Sequence, residues 1–366
     1  MKKLGFGLMR LPCIGGDGKN IDLEKVKEMV DLFMEHGYTY FDTAYVYHGG
    51  FSEVAFRECV VKRHPRDSFT VTTKLPLFSN PDRAGMEKIF NESMTRLGVD
   101  YIDYYWLHAL NRGSYQYAVE SGAFDYLREL KAAGKIKHMG FSFHDNAETL
   151  DKILTEQPDM EFVQLQINYL DWEDKGVQSR LCYETATKHG KPVIVMEPIK
   201  GGSLANPPKK AEKLLKDHAS DASCASWAIR FAASLPNVMV VLSGMSELWQ
   251  VEDNLSYMDD FKPLCEEEYK IIAEAAENIR FAIPCTACRY CTDGCPMSIK
   301  IPDIFAAYNT MKHDIHKKHE AREKYAEIVK GGSKADDCIG CEQCVNACPQ
   351  HLDIPKLLAE CAADLS

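Results

Sequence analysis

Eight of the fourteen cysteines in this 366-residue chain fall in two runs of identical spacing near the C-terminus. Both runs read C-x2-C-x2-C-x3-C-P, the bacterial spacing with which thiolates hold 4Fe–4S clusters. The repetition predicts two clusters in this chain, and therefore one-electron redox chemistry. The runs are Cys285, Cys288, Cys291 and Cys295-Pro296, followed by Cys338, Cys341, Cys344 and Cys348-Pro349.

The spacing also predicts which cysteines share a cluster. Cysteines three apart on a tight turn can reach adjacent corners of one cube, whereas the fourth, beside a proline, is displaced and ligates the other cluster. The small residues Ala287, Gly340 and Ala347 would let the chain pass close to the sulfurs. The predicted sets are Cys285, Cys288 and Cys291 with Cys348, and Cys338, Cys341 and Cys344 with Cys295.

Zinc and disulfide bonds are the alternative uses of these cysteines. Zinc takes four ligands per site but gives no reason for two x3-C-P endings. Disulfides are typical of small secreted scaffolds, whereas this chain is large and shows no signal-peptide pattern. The other cysteines indicate buried thiols in a reducing compartment, so we expect a cytoplasmic protein. They are Cys13, Cys59, Cys182, Cys224, Cys265 and Cys361.

Composition and charge narrow the functional classes. The net charge of −11 argues against a nucleic-acid-binding surface. No apolar stretch reaches the length of a membrane span, so we expect no membrane association. Hydrophobic residues at 45% and charged residues at 27% are ordinary for a globular protein, and the length allows one large domain and one small one.

Residues 1–257 alternate between β-rich runs and amphipathic helices. In one helix Val26, Met29, Val30 and Phe33 share a face. Eight strand–helix units in about 250 residues predict a (β/α)8 TIM barrel. An open doubly wound sheet is the competitor, but no dinucleotide fingerprint supports it. The predicted strands are Leu4–Met9, Thr39–Asp42, Phe69–Lys74, Ile102–His108, Ile136–Ser142, Phe162–Gln166, Val193–Glu197 and Val238–Ser243.

Most of the predicted strands end in a polar residue. In a barrel of this kind the carboxyl ends of the strands face the active site. Seven polar strand ends in register are therefore candidates for function rather than ordinary loop polarity. They are Asp42, Lys74, His108, Ser142, Gln166, Glu197 and Ser243.

The barrel half resembles the aldo-keto reductases. The resemblance is carried, in the family's order, by Phe41–Tyr47, Thr72–Lys74, Leu97–Asp103 with Leu107-His108, Gly140–Ser142 and Glu252–Leu255. With the cysteine runs attached, the chain resembles the bacterial and archaeal branch that carries a small, mostly helical ferredoxin-like domain. We expect the barrel in 1–262, a connecting helix in 263–284 and the two-cluster domain in 285–366.

The resemblance implies a catalytic tetrad of Asp42, Tyr47, Lys74 and His108. Reduction of a carbonyl by hydride needs a proton donor, and a tyrosine with its ordinary pKa near 10 suits neutral pH poorly. An adjacent lysine ammonium would lower that pKa, and an aspartate would hold the lysine in place. The histidine would orient the carbonyl oxygen by a hydrogen bond. The alternative is structural: an Asp42–Lys74 ion pair, a packed tyrosine and a core histidine.

The resemblance also implies a nicotinamide cofactor. Ser142 and Gln166 match side chains that hold the carboxamide, and Met196 falls where many members stack a tyrosine. The loops that contain Gly201, Gly202 and Ser243 could bring N–H groups to a pyrophosphate.

The residues expected to bind the adenosine part of the cofactor match the family's pattern less well. Asn254 and Asp253 match the adenine contact and the acid before it. Gln250 and Gly244 stand where an arginine and a lysine usually bind the 2′-phosphate, and charge-assisted bonds to it are lost without those cations. NADP(H) and NAD(H) therefore both stay open.

Three interpretations relate the barrel to the predicted clusters. The first is a nicotinamide-dependent reductase of an aldehyde or ketone whose clusters are structural or regulatory, and we favour it for the barrel chemistry. The second is a ferredoxin-coupled oxidoreductase in which the clusters exchange electrons with the barrel, with a ferredoxin or another redox protein as partner. The third is an electron carrier with a non-catalytic barrel.

Overall fold

Eight parallel strands close into a barrel in which β8 pairs with β1. The computed structural model describes residues 2–279, 281–313 and 317–365. The predicted barrel is confirmed, and each strand lies within two residues of its predicted bounds. The strands are β1 Leu4–Gly7, β2 Tyr40–Asp42, β3 Thr70–Pro76, β4 Ile102–Leu110, β5 Ile136–Phe143, β6 Phe162–Gln166, β7 Val193–Met196 and β8 Val238–Gly244.

Helices follow the strands along the chain. They are α1 Leu23–Glu35, α2 Phe51–Phe56, α3 Arg83–Leu97, α4 Arg112–Glu120, α5 Ala123–Ala132, α6 Ala147–Glu156, α7 Ser179–Lys188, α8 Lys209–His218, α9 Cys224–Ser234, α10 Leu248–Met258, α11 Glu266–Glu277, α12 Tyr290–Asp293, α13 Ile301–His313, α14 Lys318–Val329, α15 Gln343–Asn346 and α16 Ile354–Leu365. A π-helical turn, Arg57–Val61, continues α2.

Local signals explain where the helices begin and end. Asp22 caps α1 by accepting a hydrogen bond from the Lys25 N–H at 3.2 Å. Gly98 ends α3 in the left-handed region, with φ of 67°. The predicted apolar stripe of α1 is buried throughout: Val26, Met29, Val30 and Phe33.

Large aromatic side chains fill the barrel interior. Tyr40, Tyr104 and Trp106 form a buried cluster with aliphatic residues of β7 and β8. Gly5 and Gly140 make room for them. A Cβ built on Gly140 would lie 2.4 Å from the Trp106 ring, so only glycine fits there.

The chain divides into two compact units. We call them the barrel unit, Met1–Pro198 with Ala225–Tyr269, and the cysteine unit, Ile199–Cys224 with Lys270–Ser366. The cysteine unit has its own apolar core, which includes Ile304, Phe305 and Leu358 from α13 and α16. The predicted domain limits at 262/263 and 284/285 remain predictions, and the helix in the predicted linker spans Glu266–Glu277. Among the described residues, no helix is long and apolar enough to cross a membrane.

Candidate active site and cluster-binding cysteines

Three buried polar side chains lie at the carboxyl ends of neighbouring strands. Asp42 is the last residue of β2, Lys74 lies in β3 and His108 in β4. Asp42 pairs in register with Thr72, two residues before Lys74. The three side chains belong to residues that are 0 to 3% exposed. Since buried charge is costly without partners, their neighbours decide what they can do.

Lys74 is the centre of this group. Its Nζ donates to Asp42 Oδ1 at 2.6 Å and to the carbonyl oxygen of Thr43 at 2.7 Å. The same Nζ lies 3.4 Å from the Tyr47 hydroxyl oxygen. The Tyr47 ring meets the His108 ring edge-on, with centroids 5.9 Å apart. The four side chains of the expected tetrad are thus neighbours at one end of the barrel.

The turn after β2 sets the position of Tyr47. Tyr47 is the first residue of a short 3-10 segment, Tyr47–Gly50, in which His48 has φ of 52° and Gly50 has φ of 94°. A Cβ built on Gly50 would lie 2.6 Å from Arg96 Nη1. Both the left-handed backbone and this close approach favour glycine at position 50.

Burial and pairing act in opposite directions on the charges of Asp42 and Lys74. Burial raises the pKa of Asp42, and the Lys74 ammonium opposes that rise. Burial likewise lowers the pKa of Lys74, which Asp42 and the more distant Glu53 carboxylate oppose. A lysine whose pKa is brought closer to neutral can give up and regain a proton more readily than an exposed lysine.

His108 is held neutral at neutral pH. Burial, and then the positive charge of Lys74 and the proximity of His144, lower its pKa well below the ordinary value. The ring of Phe78, a residue 55% exposed, lies 5.2 Å from the His108 ring between centroids. A neutral imidazole can donate one hydrogen bond without placing a full positive charge at the site.

Two side chains of this site were not predicted from the sequence. Gln164 of β6 donates from Nε2 to Asp42 Oδ2 at 3.5 Å, and Glu53 of α2 accepts from Thr73 Oγ1 at 2.7 Å. Glu53 is fully buried, and burial raises its pKa. A signal existed for both: Gln164 interrupts the apolar strand β6, and Glu53 precedes the apolar run Val54–Phe56.

The residues expected at the nicotinamide lie at the ends of β5, β6 and β7. Ser142 is 1% exposed, and its Oγ accepts the Ala109 N–H at 2.7 Å. Gln166 is 5% exposed and donates from Nε2 to Asp171 Oδ2 at 2.8 Å. Met196 is half-buried at the end of β7. The three residues lie on three neighbouring strands of the barrel. Their contact with a cofactor remains a prediction.

The residues expected to bind the adenosine part of the cofactor form hydrogen bonds to neighbouring protein groups. Asn254 donates from Nδ2 to Ser243 Oγ at 2.7 Å and accepts a hydrogen bond from Tyr257 on its Oδ1. Gln250 caps α10, since its Oε1 accepts the Ser246 N–H at 2.7 Å. The capping bond holds the side-chain oxygen of Gln250 in the turn that starts the helix.

Three further residues of the expected cofactor site lie in backbone turns or on a helix. Asp253 is half-buried on α10. Gly201 and Gly202 belong to the cysteine unit and have φ of 65° and 95°. A Cβ built on Gly201 would lie 2.3 Å from the carbonyl oxygen of Thr286, the residue that follows Cys285. Gly201 therefore packs directly on the backbone of the first cysteine run.

Two cavities in the cysteine unit are lined by the cluster motifs. The first, about 310 Å³ including its open mouth, is lined by Cys285, Cys288, Cys291 and Cys348. The second, about 320 Å³ on the same measure, is lined by Cys295, Cys338, Cys341 and Cys344. Each cavity combines three cysteines of one run with the last cysteine of the other, as the spacing predicts. Aliphatic side chains such as Ile301 complete the walls.

The two runs share a backbone conformation. The residues with positive φ recur at matching positions in the two runs: Ala287, Arg289 and Ser298 in the first, and Gly340, Glu342 and His351 in the second. The short helices α12 and α15 occupy equivalent positions in the two runs. Left-handed residues turn backbone N–H groups inward, and the Ala287 N–H lies 3.4 Å from Cys285 Sγ.

The arrangement of the cysteines fits a cluster better than a single zinc ion. None of the fourteen cysteines, all of which lie in the described part of the chain, forms a disulfide bond. Within residues 2–279, 281–313 and 317–365, no group of three or more histidine, cysteine or acidic side chains converges closely enough to hold one metal ion. Zinc requires such convergence, with sulfur about 2.3 Å from the metal. Thiols around a larger cavity suit an iron–sulfur cube.

Sequence models of two protein families match the chain. The model described as the aldo/keto reductase family matches residues 3–277, and the model described as the 4Fe-4S dicluster domain matches residues 284–352. The two matches cover the barrel and the cysteine runs in turn.

Individual relatives agree with these matches. An aldo-keto reductase of Mycolicibacterium vanbaalenii is 31% identical over 68% of this chain and 83% of its own length. The NADH-specific methylglyoxal reductase of Escherichia coli is 26% identical over 56% of this chain and 65% of its own length. A solved aldo-keto reductase of Klebsiella pneumoniae, in complex with NADPH, superposes with a TM-score of 0.60 at 19% identity. It covers 77% of this chain and 94% of its own.

Proposed function

The chain belongs to the aldo/keto reductase family of oxidoreductases and carries a 4Fe-4S dicluster domain, and from this premise we propose that it reduces an aldehyde or ketone to an alcohol. The hydride comes from a nicotinamide cofactor, and Tyr47 donates the proton. The observation that carries the proposal is the contact of the Lys74 Nζ with both Asp42 and the Tyr47 hydroxyl.

The buried lysine supports a proton-donating tyrosine. A Tyr47 phenolate formed during the reaction would lie beside the Lys74 ammonium, whose charge favours that phenolate. Asp42 and the Thr43 carbonyl hold the ammonium in place. Because all of this occurs in a buried site, the interaction is stronger than it would be in water.

His108 supports the orientation of the substrate. Its neutral ring lies edge-on to Tyr47, so a carbonyl oxygen that accepts from the tyrosine hydroxyl can also accept from the imidazole N–H. Two donors aimed at one oxygen stabilise the negative charge that develops there. The exposed ring of Phe78 offers an apolar contact for the rest of a substrate.

Polar groups on β5 and β6 suit a carboxamide. The buried Ser142 hydroxyl carries a hydrogen that can be donated to a carboxamide oxygen, and Gln166 lies on the neighbouring strand. Met196 at the end of β7 would cover the ring as a soft apolar surface. When bound there, a reduced nicotinamide supplies the hydride. Relatives act with NADH or bind NADPH, so their names leave the choice between the two cofactors open.

Replacing Tyr47 by phenylalanine tests the assignment. We expect Tyr47→Phe to lower kcat for reduction of small aldehydes and ketones by about 10²- to 10⁴-fold, the usual worth of general acid catalysis, with little change in cofactor affinity. Tyr45→Phe is the matched control, because the Tyr45 hydroxyl donates to Glu92 instead. Full activity of Tyr47→Phe would show that another group gives the proton.

We infer two 4Fe–4S clusters, one in each cysteine-lined cavity. Each cavity is lined by three cysteines of one run and the last cysteine of the other, and the two runs share the same backbone turns. Both observations support a count of two. The remaining cysteines are free thiols, which favours the reducing cytoplasm as the location. Iron and sulfide analysis after anaerobic purification measures the count directly.

A ferredoxin-coupled reaction is the second candidate, and the cluster-binding unit favours it. Clusters pass single electrons, whereas a nicotinamide gives a pair as hydride, so coupling requires a mediator or both clusters together. Adding NADPH or NADH anaerobically to the oxidised protein distinguishes the candidates. Bleaching of the visible cluster absorbance by either cofactor supports coupling, while carbonyl reduction with unchanged absorbance supports the reductase alone.

A further inference from the structure

The two cysteine runs differ in exposure at equivalent positions. From their first cysteines onward the runs match residue for residue, and their left-handed turns coincide. Thr286, which follows the first cysteine of its run, is 3% exposed, whereas the matching Ile339 is 64% exposed. Cys341 is likewise exposed, while its counterpart Cys288 is half-buried. The second run thus exposes a turn that the first run buries.

The turn of the first run is covered by a loop of its own unit. A Cβ built on Gly201 would lie 2.3 Å from the carbonyl oxygen of Thr286, so this loop and this turn are in direct contact. In the turn of the second run, a Cβ built on Gly340 would meet no described atom within 4 Å. The second turn is therefore open to other molecules.

The exposed turn is also part of the wall of the second cavity. Ile339, Cys341 and Glu342 line that cavity together with Pro296 and Met297. A singly exposed apolar residue is ordinary, but Ile339 borders a cysteine-lined cavity. When bound, a 4Fe–4S cluster passes one electron at a time, and such transfer between proteins is fast only over short distances. A protein that contacts Ile339 would lie next to the wall of this cavity.

The charge around the turn indicates the charge of a partner. The matching residues of the first run, 281–289, include one arginine and no carboxylate. Two acidic surfaces repel each other, so a second copy of this chain fits the second turn poorly, whereas a basic surface complements it. Residues 334–342 of the second run include one lysine and three exposed carboxylates: Asp336, Asp337 and Glu342.

We propose that the turn of the second cysteine run is the docking surface for a one-electron redox protein whose own surface is basic. Ile339 supplies the apolar contact, and the three carboxylates around it supply the charge complementarity. This inference rests on the proposed function, because it requires a cluster in the second cavity. The competing explanations are a second copy of this chain and a turn that binds no protein.

Titration of the anaerobically purified, cluster-containing protein with cytochrome c, a small basic one-electron redox protein, tests the proposal. We expect Glu342→Lys to weaken binding about 2- to 30-fold at low salt, and the difference to disappear at high salt because exposed charges are screened. We expect Ile339→Ser to weaken binding at both salt concentrations, because burial of apolar surface does not depend on screening.

Glu327→Lys is the matched control for the change of charge. Glu327 is an exposed residue of α14 in the same unit and lies outside the lining of both cavities. Equal weakening by Glu327→Lys and Glu342→Lys would overturn the docking surface, and so would unchanged binding by Glu342→Lys. Asp336→Lys makes the same test if Glu342→Lys does not fold.

Hydrogen exchange of the complex locates the contact. We expect the backbone amides of residues 334–343 to exchange more slowly when cytochrome c is bound, and protection confined to the barrel unit would overturn the proposal. Self-association that Ile339→Ser abolishes would instead assign the turn to a second copy of this chain.

Iron and sulfide analysis of the same samples checks the proposed clusters separately. Two clusters with no protection of the turn would overturn the docking surface alone. Fewer than two clusters would overturn the proposed count, and the docking surface with it.

Discussion

At the scale of single residues, the site is defined by ionisable groups removed from water. Asp42 and Lys74 lie 2.6 Å apart, and each opposes the change in the other's pKa that burial causes. Burial, together with the positive charge of Lys74, lowers the pKa of His108 and keeps its ring neutral. These directions agree with the proposed role of Tyr47 as the proton donor.

The neutral state of His108 predicts a pH dependence of stability. Its pKa in the folded protein lies well below that in the unfolded chain, which is about 6.5. Below that pH the unfolded chain binds more protons, so the free energy of unfolding falls as pH falls, by up to about 1.4 kcal/mol per pH unit. We expect His108→Asn to reduce this slope. Urea unfolding between neutral and mildly acidic pH measures it, and equal slopes for both proteins would contradict the prediction.

The sequence predicts strand ends well but not the partners of buried polar groups. Asp42, Lys74 and His108 end apolar runs, and that pattern placed them on one rim. Whether Glu53 would be buried depends on packing of α2 against the barrel, which periodicity does not describe. Likewise the capping bond of Gln250 depends on the turn that precedes α10.

At the scale of secondary-structure elements, the close approach of Gly201 to the first cysteine run leaves no room for a side chain. Gly201 and Thr286 are far apart in sequence, so no local pattern could predict that they touch. The sequence analysis placed this glycine in a loop that could bind a pyrophosphate. The left-handed backbone and the carbonyl oxygen of Thr286 give a second, steric reason for glycine at this position.

Alanine at position 201 tests this contact. Gly201→Ala adds both the cost of a left-handed alanine, about 1 kcal/mol, and a clash with Thr286, for which overpacking typically costs about 1 to 3 kcal/mol. The control is Gly331→Ala in the same unit, where φ is 70° and a Cβ would meet nothing within 4 Å. Urea midpoints followed by visible cluster absorbance should fall further for Gly201→Ala. Equal midpoints would mean that the loop moves aside.

At the scale of the whole molecule, the chain joins a barrel of the aldo/keto reductase family to a pair of cysteine-lined cavities. The cavities take their cysteines from both runs, so the second run does not form an independent module. The motif spacing alone predicted this exchange, because the x3-C-P ending displaces the fourth cysteine from its own turn.

Paired substitutions test the exchange. Cys348→Ala with Cys288→Ala removes two ligands from one cavity, and we expect about half of the iron to remain. Cys348→Ala with Cys341→Ala removes one ligand from each cavity, and we expect both clusters to be lost or damaged. Iron and sulfide analysis with electron paramagnetic resonance of the reduced proteins measures the difference. The opposite pattern would assign each cavity to a single run.

The exchanged fourth cysteines have a consequence for biosynthesis. During translation, three of the cysteines that line the first cavity, Cys285, Cys288 and Cys291, are synthesised together, whereas the fourth, Cys348, is synthesised only with the second run. The four-cysteine lining of the first cavity is therefore complete only after both runs have been synthesised. A stop codon just before Cys338 would yield an iron-free product, although the barrel and one complete motif had already been made.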